Sequence, residues 1–163
     1  MEALSSSDQT FYAYYDPCDT STVLHAIDQL DKYVEKEGPF DAIMGFSAGA
    51  VLAAMYLAKR QGQSNTKDSV PFKCAVFLAS AQNVEIATYL GVDTRHDVIS
   101  IPTVHIWGAA DYTAPTGGAD LSEMCDIRTR LILTHDGGHE VPRKEYLTEA
   151  VHMIRRTIYL ASC

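Results

Sequence analysis

Short apolar runs alternate along the chain with longer stretches whose apolar residues recur every three or four positions. That alternation predicts strands and helices in turn. Leu24, Ile27, Leu30 and Val34 fall at helical spacing after Asp19 or Thr20, either of which can cap the start of a helix. Gly38 closes that helix and Pro39 prevents its continuation. Residues 40–44 read as a first strand, and the run from Ala50 to Ala58 is a strong helix former, apolar on nearly every face. A polar loop over 63–69 leads to a second strand at 72–79. Residues 80–100 are mixed, with a short helix expected near 84–90. Pro102 introduces a third strand at 103–107, residues 120–125 suit one or two helical turns, and a fourth strand spans 129–134. A last helix begins after Pro142, with Leu147, Val151, Ile154 and Ile158 on one face. Strands alternating with helices predict an α/β chain, a parallel sheet with helices on both faces. Residues 1–10 are small and polar and are expected to form a flexible N-terminus, with 11–163 as a single domain.

Between the first strand and the second helix stands Gly45-Phe46-Ser47-Ala48-Gly49. A bare Gly-x-Ser-x-Gly recurs by chance, but strand, motif and helix in that order are what a nucleophile elbow requires. The glycines allow a sharp turn that holds the serine hydroxyl beyond the C-terminal end of the sheet. The plainer reading is a tight turn with a capping serine.

A serine hydroxyl is a poor nucleophile near neutral pH and needs a base, itself oriented by a carboxylate. In α/β-hydrolases these follow in the order Ser, Asp, His, on loops after successive strands. Asp111 lies in the loop after the third strand and His139 in the loop after the fourth. His139 is preferred to His135 because Gly137 and Gly138 let its loop reach over the sheet, whereas His135 abuts the strand and suits a structural hydrogen bond. His105 reads as a core histidine, His25 and His152 as helix-surface residues, and His96 as a loop residue. Asp111 can alternatively stabilise its own turn, with Asp120 and Asp136 as fallback acids. No cluster has metal-ligand spacing, no glycine-rich loop fits a dinucleotide, and no cofactor is expected.

Composition narrows the partners. A formal charge of −8, spread along 163 residues, argues against nucleic acid and against an anionic membrane surface. Cys18, Cys74, Cys125 and Cys163 form no C-x-x-C pair, so free thiols in a reducing compartment are expected. Residues 1–8 lack a basic region followed by an apolar one, and no window approaches a membrane span. The expected location is cytoplasmic.

From about Phe11 to Ile158 the chain resembles the fungal-type serine hydrolase (FSH) family of α/β-hydrolases. The resemblance rests on residues 12–17, on 37–41 leading into Gly45-Phe46-Ser47, on Pro102 to Pro115, and most specifically on 137–142, Gly-Gly-His-Glu-Val-Pro. It implies a triad of Ser47, Asp111 and His139, an oxyanion-hole N–H from Ala48, and hydrolysis of an ester or thioester with a hydrophobic or polyketide-like acyl group. Tyr12, Tyr14, Tyr15, Trp107 and Tyr112 are candidate pocket residues. Ala48 stands where the family usually has glutamine.

Family members begin with a strand ending in a His-Gly loop, then a helix and a second strand. The resemblance therefore implies a truncated sheet that lacks the family's first strands and one oxyanion donor, a loss typically worth about 10²–10³ in turnover. It also implies that strand 41–46 is an apolar edge prone to pairing. A homodimer with the tyrosines near its interface is expected to cover that edge; a folded-back 11–15 segment or a different protein are the alternatives. Two other functions stay open: an isomerase or cyclase using His139 as general base, and a non-catalytic binding partner.

Overall fold

The computed structural model describes residues 13–63, 70–81 and 98–162. Residues 1–12, the 64–69 loop, the helix expected at 84–90, His96 and Cys163 lie outside them. Along the described residues run α1 (Thr20–Glu37), β1 (Ala42–Phe46), α2 (Ala48–Gln63), β2 (Cys74–Leu78), β3 (Thr103–Gly108), α3 (Gly117–Glu123), β4 (Arg130–His135) and α4 (Lys144–Ala161). The strands form one parallel sheet in the order β1-β2-β3-β4. An α/β architecture with helices on both faces is thus present, and each expected strand is there, shifted by up to two residues.

Asp19 caps α1 by accepting the Ser21 N–H at 2.9 Å. Its inward stripe is Val23, Ile27, Leu30 and Val34, whereas Leu24, expected inside, is 38% exposed. The shift is one residue, from one side of the stripe to the other. Helix α2 explains its unbroken apolar run: every residue from Ala50 to Ala58 is either buried or nearly so, because α1 covers one side and the sheet the other. Each Val, Leu or Met buried there stabilises the fold by roughly 1.5–3 kcal/mol. The polar rim between the helices, where Arg60 donates to Asp31 at 2.7 Å and to Glu35 at 2.9 Å, adds far less per contact.

Alternation along β2 assigns the two layers. Ala75 and Phe77 join α1, α2 and Leu121 of α3, while Val76 joins Val104, Ile106, Leu133 and Ala150 of α4. Strand β2 is buried on both sides, as a central parallel strand should be. Helix α4 departs from expectation: Leu147 and Val151 are 46% and 40% exposed, and the inward face is Tyr146, Ala150, Met153, Ile154 and Thr157. Small side chains at 150 and 157 let the helix approach the sheet, and that contact sets its rotation. Cys18 is exposed, and Cys74 and Cys125 are buried. Among the described residues, no helix is long and apolar enough to cross a membrane.

Candidate active site

The parallel register brings the C-terminal strand ends to one rim. Phe46 pairs with Leu78, Leu78 with Ile106, and Gly108 with His135. Residues just beyond β1, β3 and β4 therefore emerge at the same end of the sheet.

Ser47 follows β1 with φ of 52°, the left-handed region that a residue with a Cβ seldom occupies. The cost, of order 1–3 kcal/mol, is offset by the anchoring of the turn on both sides. Its N–H donates to the Leu78 carbonyl at 3.0 Å, and its carbonyl accepts the Ala50 N–H at 3.0 Å. A Cβ on Gly45 would stand 2.4 Å from the Gly49 carbonyl oxygen, so only glycine lets β1 and α2 pass. Gly49 has no such need: a Cβ there would meet the Tyr14 ring at 3.6 Å, an ordinary contact. Of the two motif glycines, the first closes the turn.

Asp111 is buried and fixed before it meets any histidine: its Oδ1 accepts the Thr113 and Ala114 N–H groups at 3.0 and 2.9 Å. Burial alone would raise its pKa, but the Ala114 N–H, the His139 ring and the Thr113 N–H outweigh it and hold the carboxyl below its ordinary value. Its other oxygen, Oδ2, lies 2.7 Å from His139 Nδ1. An ionised carboxylate only accepts, so Nδ1 carries the proton and Nε2 is left as an acceptor. The Ser47 hydroxyl stands 2.8 Å from that Nε2 and donates to it. His139 also packs beside Phe46, with ring centroids 5.4 Å apart. The geometry can take a proton from the serine hydroxyl and hold the resulting imidazolium against a buried carboxylate.

Ala48 opens α2. As the first helical residue, its N–H has no intrahelical acceptor and sits at the positive end of the helix dipole, beside the hydroxyl.

The other sequence candidates fall elsewhere. Asp120 accepts the Thr116 hydroxyl at 2.6 Å on α3, and Asp136 is exposed. His105 is buried in β3, with Nε2 2.9 Å from the Thr103 hydroxyl. His25 and His152 are exposed on their helices. Among the pocket candidates, Tyr14 lies by Gly49 at the rim and Tyr112 is 90% exposed. Tyr15 packs on the α1–α2 core and Trp107 against Gly118, while Tyr12 lies outside the described residues. Among the described residues no three His, Cys, Asp or Glu side chains are grouped to hold a metal ion. Sequence reasoning passed over Phe46, which touches His139, and Gly108, where a Cβ would lie 2.1 Å from the Gly137 carbonyl oxygen. A glycine ending an otherwise bulky strand was the available signal for the second.

A family model described as serine hydrolase (FSH1) matches residues 3–151. A Fusarium mangiferae protein named Esterase FPY3 is 36% identical over 151 residues, covering 88% of this chain and 66% of that protein. A Caenorhabditis elegans protein named Esterase C25G4.2 is 30% identical over 118 residues, covering 68% and 48%. The chain spans about half to two-thirds of the length of these relatives. Among solved structures, Zea mays acyl-protein thioesterase 2 superposes with a TM-score of 0.60 at 17% identity, covering 91% of this chain and 70% of that one. A metagenomic α/β hydrolase, MGS-MChE2, gives 0.59 at 15% identity, covering 86% and 71%. At such identities the likeness shows the fold alone, that of an α/β-hydrolase sheet.

Proposed function

Because the chain belongs to the serine hydrolase (FSH1) family, we propose that it cleaves a carboxylic ester or thioester through an acyl-enzyme on Ser47. The observation that carries this reading is the unbroken hydrogen-bond path Asp111–His139–Ser47, 2.7 and 2.8 Å long, on a strained turn. In the proposed reaction Ser47 Oγ attacks the substrate carbonyl carbon while His139 Nε2 takes the hydroxyl proton. Negative charge develops on the carbonyl oxygen and is met by the Ala48 N–H. Collapse expels the alcohol or thiol, which takes the proton from His139. A water molecule then repeats the sequence and releases the acid. Asp111 keeps the imidazole in the tautomer that accepts from serine and stabilises its cation. The scheme calls on no cofactor.

A hydrophobic acyl group, polyketide-like or otherwise, suits the aromatic surfaces of Phe46, Tyr14 and Tyr112 around the rim, all exposed. The proposed protein partner is a second copy of the chain. Its support is the position of β1 at the sheet edge, where Met44 and Phe46 are 56% and 42% exposed and residues 42–46 carry no charge.

A fluorophosphonate probe tests the catalytic reading. A single phosphonyl adduct on the peptide bearing Ser47 is expected, absent from Ser47→Ala and slowed at least about 100-fold in His139→Ala. An adduct of equal yield in Ser47→Ala would refute it.

A further inference from the structure

His135 ends β4 and is 3% exposed, in the layer formed by α4, yet it is not one of the three residues above. Its Nδ1 accepts the Gly137 N–H at 3.1 Å. A neutral ring that accepts at Nδ1 carries its proton on Nε2, and that nitrogen is buried with no partner among the described residues. Tyr146 approaches it only ring to ring, with centroids 6.3 Å apart. A leucine or phenylalanine would suit this buried place without leaving a donor unpaired. What an imidazole supplies here, and a hydrocarbon does not, is the acceptor under Gly137.

Gly137 is the point where the two functional loops are joined. Its carbonyl accepts the Ala110 N–H at 3.0 Å, one residue before Asp111. The His135 carbonyl accepts the Ala109 N–H at 2.7 Å. There is no slack around it: a Cβ on Gly137 would sit 2.9 Å from His135 Nδ1. The peptide is therefore held from below by the His135 ring and from the side by the Asp111 loop. Two residues later the same loop carries His139, whose Nε2 must stay 2.8 Å from the serine hydroxyl.

We infer that His135 is a positioning residue for the reaction: its neutral imidazole, through Nδ1, fixes Gly137 and so sets the place of His139 against Ser47 and Asp111. This inference rests on the catalytic reading of Ser47 and His139. It assigns His135 no contact with substrate and no proton transfer.

The test compares His135→Phe, which fills the space without an acceptor, with His135→Asn, whose Oδ1 falls near the place of Nδ1. Steady-state hydrolysis of a short p-nitrophenyl ester is measured beside thermal unfolding of each variant. Since a displacement of about 1 Å can cost 10²-fold, His135→Phe is expected to lower kcat by about 10–100-fold with KM within about twofold, and His135→Asn to stay within about threefold of wild type. A folded His135→Phe with wild-type kcat overturns the inference, as does an equal loss in both variants. If His135→Phe does not fold, the ring-nitrogen NMR shifts of His135 in the wild-type chain decide. A bare Nδ1 and a protonated Nε2 at the pH of activity are required, and the opposite tautomer overturns the inference. Labelling by the fluorophosphonate separates the two levels: undiminished labelling of His139→Ala defeats the catalytic reading itself. Labelling that depends on His139 but not on His135 defeats only this inference.

Discussion

Side chains of one type acquire different chemistry here from their surroundings. His139 is held between a carboxylate and a hydroxyl, at 2.7 and 2.8 Å. His105 is shut into β3 beside Phe77, with no partner for its Nδ1 among the described residues. Burial, with a smaller contribution from the Arg130 charge, pushes the His105 pKa down to about 3. An unfolded histidine binds a proton near pH 6.5, so between that pH and about 3 the unfolded chain holds a proton that the folded chain refuses. The stability contribution is complete above pH 6.5 and is lost as pH falls towards the folded value, by on the order of a few kcal/mol. Urea midpoints from pH 7 to 4 should therefore decline, and His105→Leu should flatten that decline; an unchanged slope in the variant would assign the acid loss elsewhere. His105 was legible as a core histidine because it sits inside a strand, and Asp111 and His139 stood out because each follows a strand. Phe46 was not legible as a neighbour of His139, since 93 residues of chain separate them and only the sheet register joins them.

At the scale of elements, the strands and helices followed from period and punctuation, but the faces they present did not. Leu147 and Val151 form as good a helical stripe as Ala150 and Thr157, and hydrophobicity alone favours the former. The sheet selects the latter because small side chains allow close approach, a preference visible only once the partner surface exists. Close approach also explains Gly108, the last residue of β3. A methyl group there would meet the carbonyl oxygens of Gly137 and Gly138 at 2.1 and 2.3 Å, and these are backbone atoms that cannot rotate away. Gly108→Ala should accordingly push the His139 loop off its place and lower kcat by about 100-fold, while costing roughly 1–3 kcal/mol of stability. Kinetics and denaturant melts on one preparation check both; a variant that loses stability but keeps full turnover would show that the loop tolerates the displacement.

The whole molecule gathers side chains from three separate loops because four parallel strands end on one rim. The same arrangement leaves β1 at the edge with Met44 and Phe46 uncovered. If a second copy pairs there, light scattering should give twice the chain mass and Met44→Lys should return it to one, since an edge charge opposes strand pairing. A monomer at all concentrations would remove the proposed partner without touching the chemistry. That chemistry stands on Ser47 becoming acylated. The most direct measurement is acid quenching during turnover of an activated ester or thioester, followed by mass spectrometry of the Ser47 peptide. The account predicts an acyl group on Ser47 in the wild-type chain and none in His139→Ala. Product formed with no acylated peptide, at a rate unchanged in Ser47→Ala, would contradict it.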